Sequence, residues 1–240
     1  MGSSRTLHTR LLEKLESIVS IERRYPFIIS ISNEIDSSLP FSGLPLGCVH
    51  EVQSPGLACG IAFTSLLAAR IAGPAGQILY VSPHPGVHPP GLLHYGIRPE
   101  QWVHVTARSS LDLSWTVLEA LRCPQVNAVL AVTKSADLTL CRRWQLAAEG
   151  SGATGFLLTD TNSRHSIASA ITRWQISSIP APADATFVEP CWSIDLTYCR
   201  GGRPARWVAV WREESLVLSV LPAARPVQQA GLSGANKLAV

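Results

Sequence analysis

Residues 50–70, HEVQSPGLACGIAFTSLLAAR, have the local pattern of a phosphate-binding turn: a short β run, a Pro/Gly turn and an apolar helix. A loop of the G-x-x-x-x-G-K-[ST] type needs its lysine to reach the β- and γ-phosphates and its Ser/Thr hydroxyl to hold Mg²⁺. Gly60 and Ile61 stand at those two positions. What is left is the turn Ser54, Pro55, Gly56 with Gly60, a stretch whose backbone N–H groups, absent only at Pro55, can face an anion at a helix N-terminus without any side chain to complete nucleotide or metal binding. The expectation is a degenerate phosphate loop that takes no cofactor.

Other chemistry-bearing residues are as sparse. His84 and His88 lie four apart in SPHPGVH, but Pro85 and Pro89 interrupt them and no cysteine or carboxylate joins them, so a turn is favoured over a metal site. The apolar run NAVLAVT ends in Val132 and Thr133, where an ATPase would carry an aspartate. No G-x-S-x-G, H-E-x-x-H or G-x-G-x-x-G follows a strand pattern. Six cysteines show neither C-x-x-C nor zinc spacing and read as small buried hydrophobes in a reducing cytosol. No catalytic residue and no metal ligand is expected.

The elements that would position such groups are easier to read. Residues 48–52, 77–82, 102–107, 127–133 and 155–159 read as strands, with helices over 61–71, 111–122 and 137–152. Strand and helix alternate at the spacing of right-handed crossovers, which predicts a doubly wound, mostly parallel sheet with helices on both faces. PPGLLHYGI reads as a short helix opened by proline and closed by Gly96, and EGSGATG as a helix C-cap turn. After residue 165 the segments SAITRWQISSIP, SIDLTYCR and RWVAVWR alternate as antiparallel strands, the last two joined by a hairpin over residues 199–206.

With 46% hydrophobic and 15% charged residues the 240-residue chain suits one large α/β domain whose surface needs a partner. A net charge of +3 falls short of a dedicated nucleic-acid binder. Arginine accounts for 17 of the 20 basic residues, a bias that suits phosphate contact but that a GC-rich genome also produces. Leu7, Leu11, Leu15 and Ile18 form the stripe of an amphipathic helix over residues 4–24, whose interspersed charges exclude a signal peptide. The longest apolar stretch, 57–69, is too short to span a bilayer. A cytoplasmic protein without a membrane partner is expected.

GLPLGCVHEV, residues 43–52, resembles the GLP-x-G-x-[IV]-x-E-[IV] lead-in of RecA-like recombinases. LYVSPHPGVHPPGLLHYGIRPEQWVHV resembles their segment bearing the catalytic carboxylate, and SLDLSWTVLEALRCPQVNAVLAV the helix and strand ending in the Walker-B aspartate. In that register His84 replaces the glutamate and Val132 the aspartate, which implies a pseudo-ATPase. DLTLCRRWQLAAEGSGATGFLL and RGGRPARWVAVW are similar to the most characteristic stretches of the ImuA family, so that the resemblance covers residues 39–212. It implies a RecA-like core over 39–215 with a C-terminal antiparallel hairpin, preceded by a helix and lead-in (1–38) and followed by a flexible tail (216–240). It also implies a role in SOS-induced error-prone translesion DNA synthesis, beside an ImuB-like inactive Y-family polymerase and an error-prone C-family polymerase, with RecA as a further candidate partner.

Two surfaces follow as candidates. Arg142, Arg143 and Gln145 lie opposite the apolar face of their helix and are the expected partner contact, although a solvated helix face has the same pattern. Arg200, Arg203, Arg206 and Arg212 cluster around Gly201 and Gly202 in the hairpin, with Trp207 and Trp211 following. A weak, sequence-independent contact to single-stranded DNA fits this set. The competing reading has the tryptophans in the core and the arginines solvating a loop. A SulA-type cell-division inhibitor, also a RecA-like fold without a phosphate loop, is the alternative function; the N-terminal helix and the Arg-rich hairpin exceed what such an inhibitor needs.

Overall fold

The computed structural model describes residues 24–134, 137–161, 169–180, 189–212 and 217–221. The helix expected over 4–24 lies outside the described residues except for its last position. The described residues form eleven strands: β1 (Ile28–Ile29), β2 (Leu44–Pro45), β3 (Val49–Gln53), β4 (Gln77–Ser82), β5 (Trp102–Thr106), β6 (Val126–Val132), β7 (Thr154–Thr159), β8 (Thr172–Ser178), β9 (Cys191–Cys199), β10 (Ala205–Arg212) and β11 (Val217–Leu221). The helices are α1 (Asn33–Asp36), α2 (Ala58–Ala72), α3 (Ser110–Arg122) and α4 (Leu138–Ser151).

Nine strands form one sheet in the order β11-β10-β9-β8-β3-β7-β6-β4-β5. β8 pairs parallel to β3 through His50↔Thr172 to Gln53↔Gln175 and antiparallel to β9, and the β9–β10 and β10–β11 pairs are antiparallel as well. The antiparallel set expected after residue 165 is therefore present, and β8 is the strand that joins it to the parallel part of the sheet. The chain leaves β3, skips two places to β4, and returns through β6 and β7, so the carboxyl end of β3 lies at the switch point where open α/β sheets bind ligands.

The sheet separates two apolar layers. On one side α2 lies among Phe63, Leu66, Trp174, Trp192 and Trp211, with Ile31, Ile35, Leu39 and Leu44 from the N-terminal segment in the same cluster. Covered on both flanks, α2 is apolar nearly all round. Arg70 Nη1 donates to the Ser30 and Ile31 carbonyls at 2.8 and 2.7 Å, and Asp36 accepts from Ile31 N at 2.9 Å. Within residues 24–38, Tyr25, Ile31, Ile35 and Asp36 are buried. On the other side α3 and α4 bury Val117, Leu121 and Trp144 against Val49, Val129 and Leu157.

The helix stops agree with the sequence expectation. Gly96 closes the 3-10 turn Pro89–Tyr95 and Gly152 closes α4, both left-handed at φ 82° and 85°, where glycine carries no Cβ penalty. β11 occupies the first part of what was expected to be a tail, and residues 222–240 lie outside the described residues. No helix among the described residues is long and apolar enough to cross a membrane.

β3 is held by a buried polar chain. His50 Nε2 donates to the Pro45 carbonyl at 3.0 Å, which leaves Nδ1 to accept from Thr172 Oγ1 at 2.7 Å. Thr172 in turn accepts from Trp174 Nε1 at 2.7 Å, and the ring stacks on Phe156. Burial pushes the His50 pKa down to about 4 against the opposing pull of the Pro45 carbonyl, so the imidazole is neutral at pH 7.

Candidate functional site

β3 delivers the chain into the degenerate loop at Ser54. Gly56 and Leu57 both adopt positive φ, 62° and 66°, and Leu57 contributes no side-chain cap to α2. Ser54 supplies it instead: its fully buried Oγ accepts from the Gly60 amide at 3.1 Å. A Cβ on Gly60 would lie 2.9 Å from Ser54 Cβ and 3.2 Å from Leu158 Cδ2. The loop thus bonds one of its own helix-terminal N–H groups, and the position where a phosphate-binding lysine would start is occupied by the serine. The nearest carboxylate is also engaged. Glu51, fully buried on β3, pairs with Arg173 at 3.1 Å and accepts from Gln53 Nε2 at 3.0 Å, and Arg173 lies over the Tyr198 ring.

Neighbouring strand ends place the other expected positions. Val132 packs half-buried against the α2-side core, and Thr133 N donates to the Leu158 carbonyl at 2.9 Å. His84 and His88 are exposed, with the His84 carbonyl accepting from Ser82 Oγ at 2.5 Å. No group of three or more metal-ligating side chains occurs among the described residues. All six cysteines are free thiols; Cys48, Cys141, Cys191 and Cys199 are buried as expected, whereas Cys59 and Cys123 are half-buried.

α4 carries the expected partner face, and only part of it faces solvent. Asp137 caps the helix by accepting from Leu140 N at 2.7 Å, and Arg142 and Arg143 are exposed. Gln145 is buried, which corrects its assignment to that face. Its Oε1 accepts from Val49 N at 3.0 Å, while Nε2 donates to Tyr25 Oη and Glu149 Oε1, both at 2.9 Å. Tyr25 donates to the same Glu149 oxygen at 2.5 Å, and Arg24 pairs with the other at 2.7 Å. Burial raises the Glu149 pKa, but the hydrogen bonds from Tyr25, Gln145 and Arg24 outweigh it and hold the carboxyl below its ordinary value. The amphipathic wheel places Gln145 on the flank facing the N-terminal segment, and that segment's position is not legible in the α4 sequence.

The hairpin joins β9 to β10 through residues 200–204, with Gly201 at φ 79°. Arg203 is exposed and Arg200 half-buried. Arg206 forms an ion pair with Asp195 across the strand pair, and Arg212 pairs with Glu189 at 3.6 Å. Trp207 is half-buried with its ring 6.3 Å from that of Trp174, and Trp211 is buried, donating to the His94 carbonyl at 3.0 Å. Of the four arginines, Arg200 and Arg203 are in no ion pair among the described residues. Sequence reading missed a different surface: Leu111 and Trp115 on α3 and Leu146 on α4 are 77%, 65% and 62% exposed. The spacing of Leu111 and Trp115, four apart and off the buried stripe, was the available signal.

The chain is 33% identical over 192 residues to Protein ImuA of Caulobacter vibrioides, in strain NA1000 / CB15N and equally in strain ATCC 19089 / CIP 103742 / CB 15, covering 72% of this chain and 79% of that protein. Among solved structures, the RadB recombinase superposes with a TM-score of 0.57 at 12% identity, over 80% of this chain and 100% of that one. That likeness establishes a RecA-like fold. No family model matches the chain.

Proposed function

The chain belongs to the ImuA family, and from that premise we propose that it is a non-catalytic RecA-like accessory protein of SOS-induced, error-prone translesion DNA synthesis. It works by protein contact, in a complex with an ImuB-like inactive Y-family polymerase and an error-prone C-family polymerase, RecA being a further candidate. Arg142 and Arg143 remain candidates for the contact.

The observation that carries the non-catalytic reading is the contact between Ser54 and Gly60. The loop that would cradle a phosphate spends a helix-terminal amide on its own serine, and that serine closes the space a lysine would need. Ile61, Val132 and His84 supply no metal ligand or carboxylate at the remaining positions. Without that chemistry, the fold can act only by presenting surfaces.

The test is co-elution of the purified full-length chain with the ImuB-like protein of the same cell and, separately, with the cell-division GTPase. A stable complex with the first alone is expected. A complex with the division GTPase alone would replace this reading with that of a division inhibitor.

A further inference from the structure

α3 and α4 follow parallel strands of one sheet, lie on the same face and run side by side, with Trp144 Nε1 of α4 donating to the Ser114 carbonyl of α3 at 3.2 Å. Between their carboxyl-terminal halves is a cleft of about 340 Å³ lined by Arg122, Arg143, Leu146, Ala147, Gly150 and Ser151. Ala147 and Gly150 keep the α4 side low. On α3 the row leading into the cleft is Leu111, Trp115, Leu118, Arg122, at intervals of four, three and four that keep it on one side of the helix. Leu118 within it is buried in the core, so the exposed apolar members of the row are Leu111 and Trp115. All seven tryptophans fall among the described residues: four are buried, Trp102 and Trp207 are half-buried, and Trp115 is the one left exposed.

The charges around this row are not balanced by partners. Each carboxylate of the two helices is already engaged: Asp112 with Ser109, Glu119 with Arg122, Asp137 as the α4 cap, and Glu149 with Arg24 and Tyr25. Arg142 and Arg143 are paired with no carboxylate among the described residues. The surface is therefore an apolar row with an unmatched cationic rim. It asks for a ligand whose apolar stripe is flanked by acids, and a second copy of a chain of net charge +3 matches that rim poorly.

We propose that the α3–α4 groove is the docking site for an acidic amphipathic helix of the ImuB-like partner, laid along the row from Leu111 to Arg122 with Trp115 as its central anchor. The inference rests on the partner-driven reading above and names the surface that reading needs. The eleven residue steps from Leu111 to Arg122 correspond to about 16 Å, so three to four turns of partner helix cover the row. Aromatic and arginine side chains are those that dominate such contacts.

The experiment uses purified full-length chain and purified full-length ImuB-like protein. Affinity is read by titration, and Trp115 by acrylamide quenching with and without partner. Two variants are compared with wild type: Trp115→Ala combined with Leu146→Ser, and Arg143→Glu. Because these side chains are exposed, both should keep the wild-type circular dichroism spectrum and urea midpoint. The expected result is that the partner protects a quenchable fraction that Trp115→Ala removes, that the double variant weakens binding tenfold or more, and that Arg143→Glu weakens it less as salt is raised. If wild type binds and the double variant binds within threefold of it, the groove is not the site and the partner reading stands. If wild type does not bind, the partner reading fails and the inference with it. Protection of Trp115 in a dimer of the chain alone would make the groove a self-interface and overturn the proposal.

Discussion

Ser54 and Gly60 share one space: the serine Oγ accepts the glycine amide at 3.1 Å, and a Cβ at Gly60 would stand 2.9 Å from the serine Cβ. Each residue suits the other, because a side chain at 54 is compatible with none at 60. Gly60→Lys alone should therefore cost about 1–3 kcal/mol, through overpacking and loss of the cap bond. Ser54→Gly alone should cost about 1–3 kcal/mol, because it leaves the buried Gly60 amide without its acceptor. The double variant should be more stable than the sum predicts, by roughly 0.5 kcal/mol or more, since contacting residues couple. Urea denaturation of the four proteins measures this, and strict additivity would remove the argument that the two positions compensate.

A nucleotide that binds the folded chain raises its stability in proportion to the logarithm of concentration over Kd, by about 2.7 kcal/mol at a hundredfold excess. With Gly60, Ile61 and Val132 at the positions for phosphate, metal and Walker-B carboxylate, Mg·ATP should leave the melting temperature unchanged to within a degree and no hydrolysis should be detected. A clear, Mg²⁺-dependent rise would sink the non-catalytic reading.

His50 makes a pH prediction with a definite sign. Its folded pKa of about 4 lies below the unfolded value of about 6.5, so between the two the unfolded chain binds a proton that the folded one refuses. Stability is fully present above the unfolded pKa and is lost as pH falls from about 6.5 to about 4. Between pH 7 and 4.5 this single group should remove about 2–3 kcal/mol. Comparison of His50→Gln with wild type by urea denaturation isolates it: the variant is less stable at pH 7 but should lose less on acidification. Parallel pH profiles would mean the imidazole titrates normally.

At the hairpin, Arg206 is committed to Asp195 and Trp207 packs toward Trp174, leaving Arg200 and Arg203 as the cations available to a phosphate backbone. Any single-stranded DNA retention should then show a log–log salt slope of about −1 to −1.5, at about 0.7 per contact. Arg200→Ala with Arg203→Ala should abolish it. Trp207→Ala should lower stability without changing that slope. A slope near −2 in wild type would show that Arg206 leaves Asp195 to join the contact.

What the sequence determined by itself were features set within one turn or one strand. Strand and helix periods, the proline opening and glycine close of the 3-10 turn, the Gly152 cap and the hairpin over 199–206 depend on local torsions and on the alternation of apolar residues. That position 60 carries no lysine and position 132 no carboxylate is likewise read from the sequence directly. Only the tertiary structure decided matters between distant segments. Gln145 has a polar residue's pattern on a helix, yet it is buried because Tyr25 and the Val49 amide, both about 100 or more positions away, need its two ends. β8 alternates like an antiparallel strand and is one toward β9, but that its other edge pairs parallel to β3 is set by the path of the chain. Arg206 reads as a free cation until Asp195 is placed opposite it by strand register, and the exposure of Trp115 is decided by which face of α3 packs on the sheet. Pairing partners and burial are properties of contacts between segments, and they exist only once the sheet has brought those segments together.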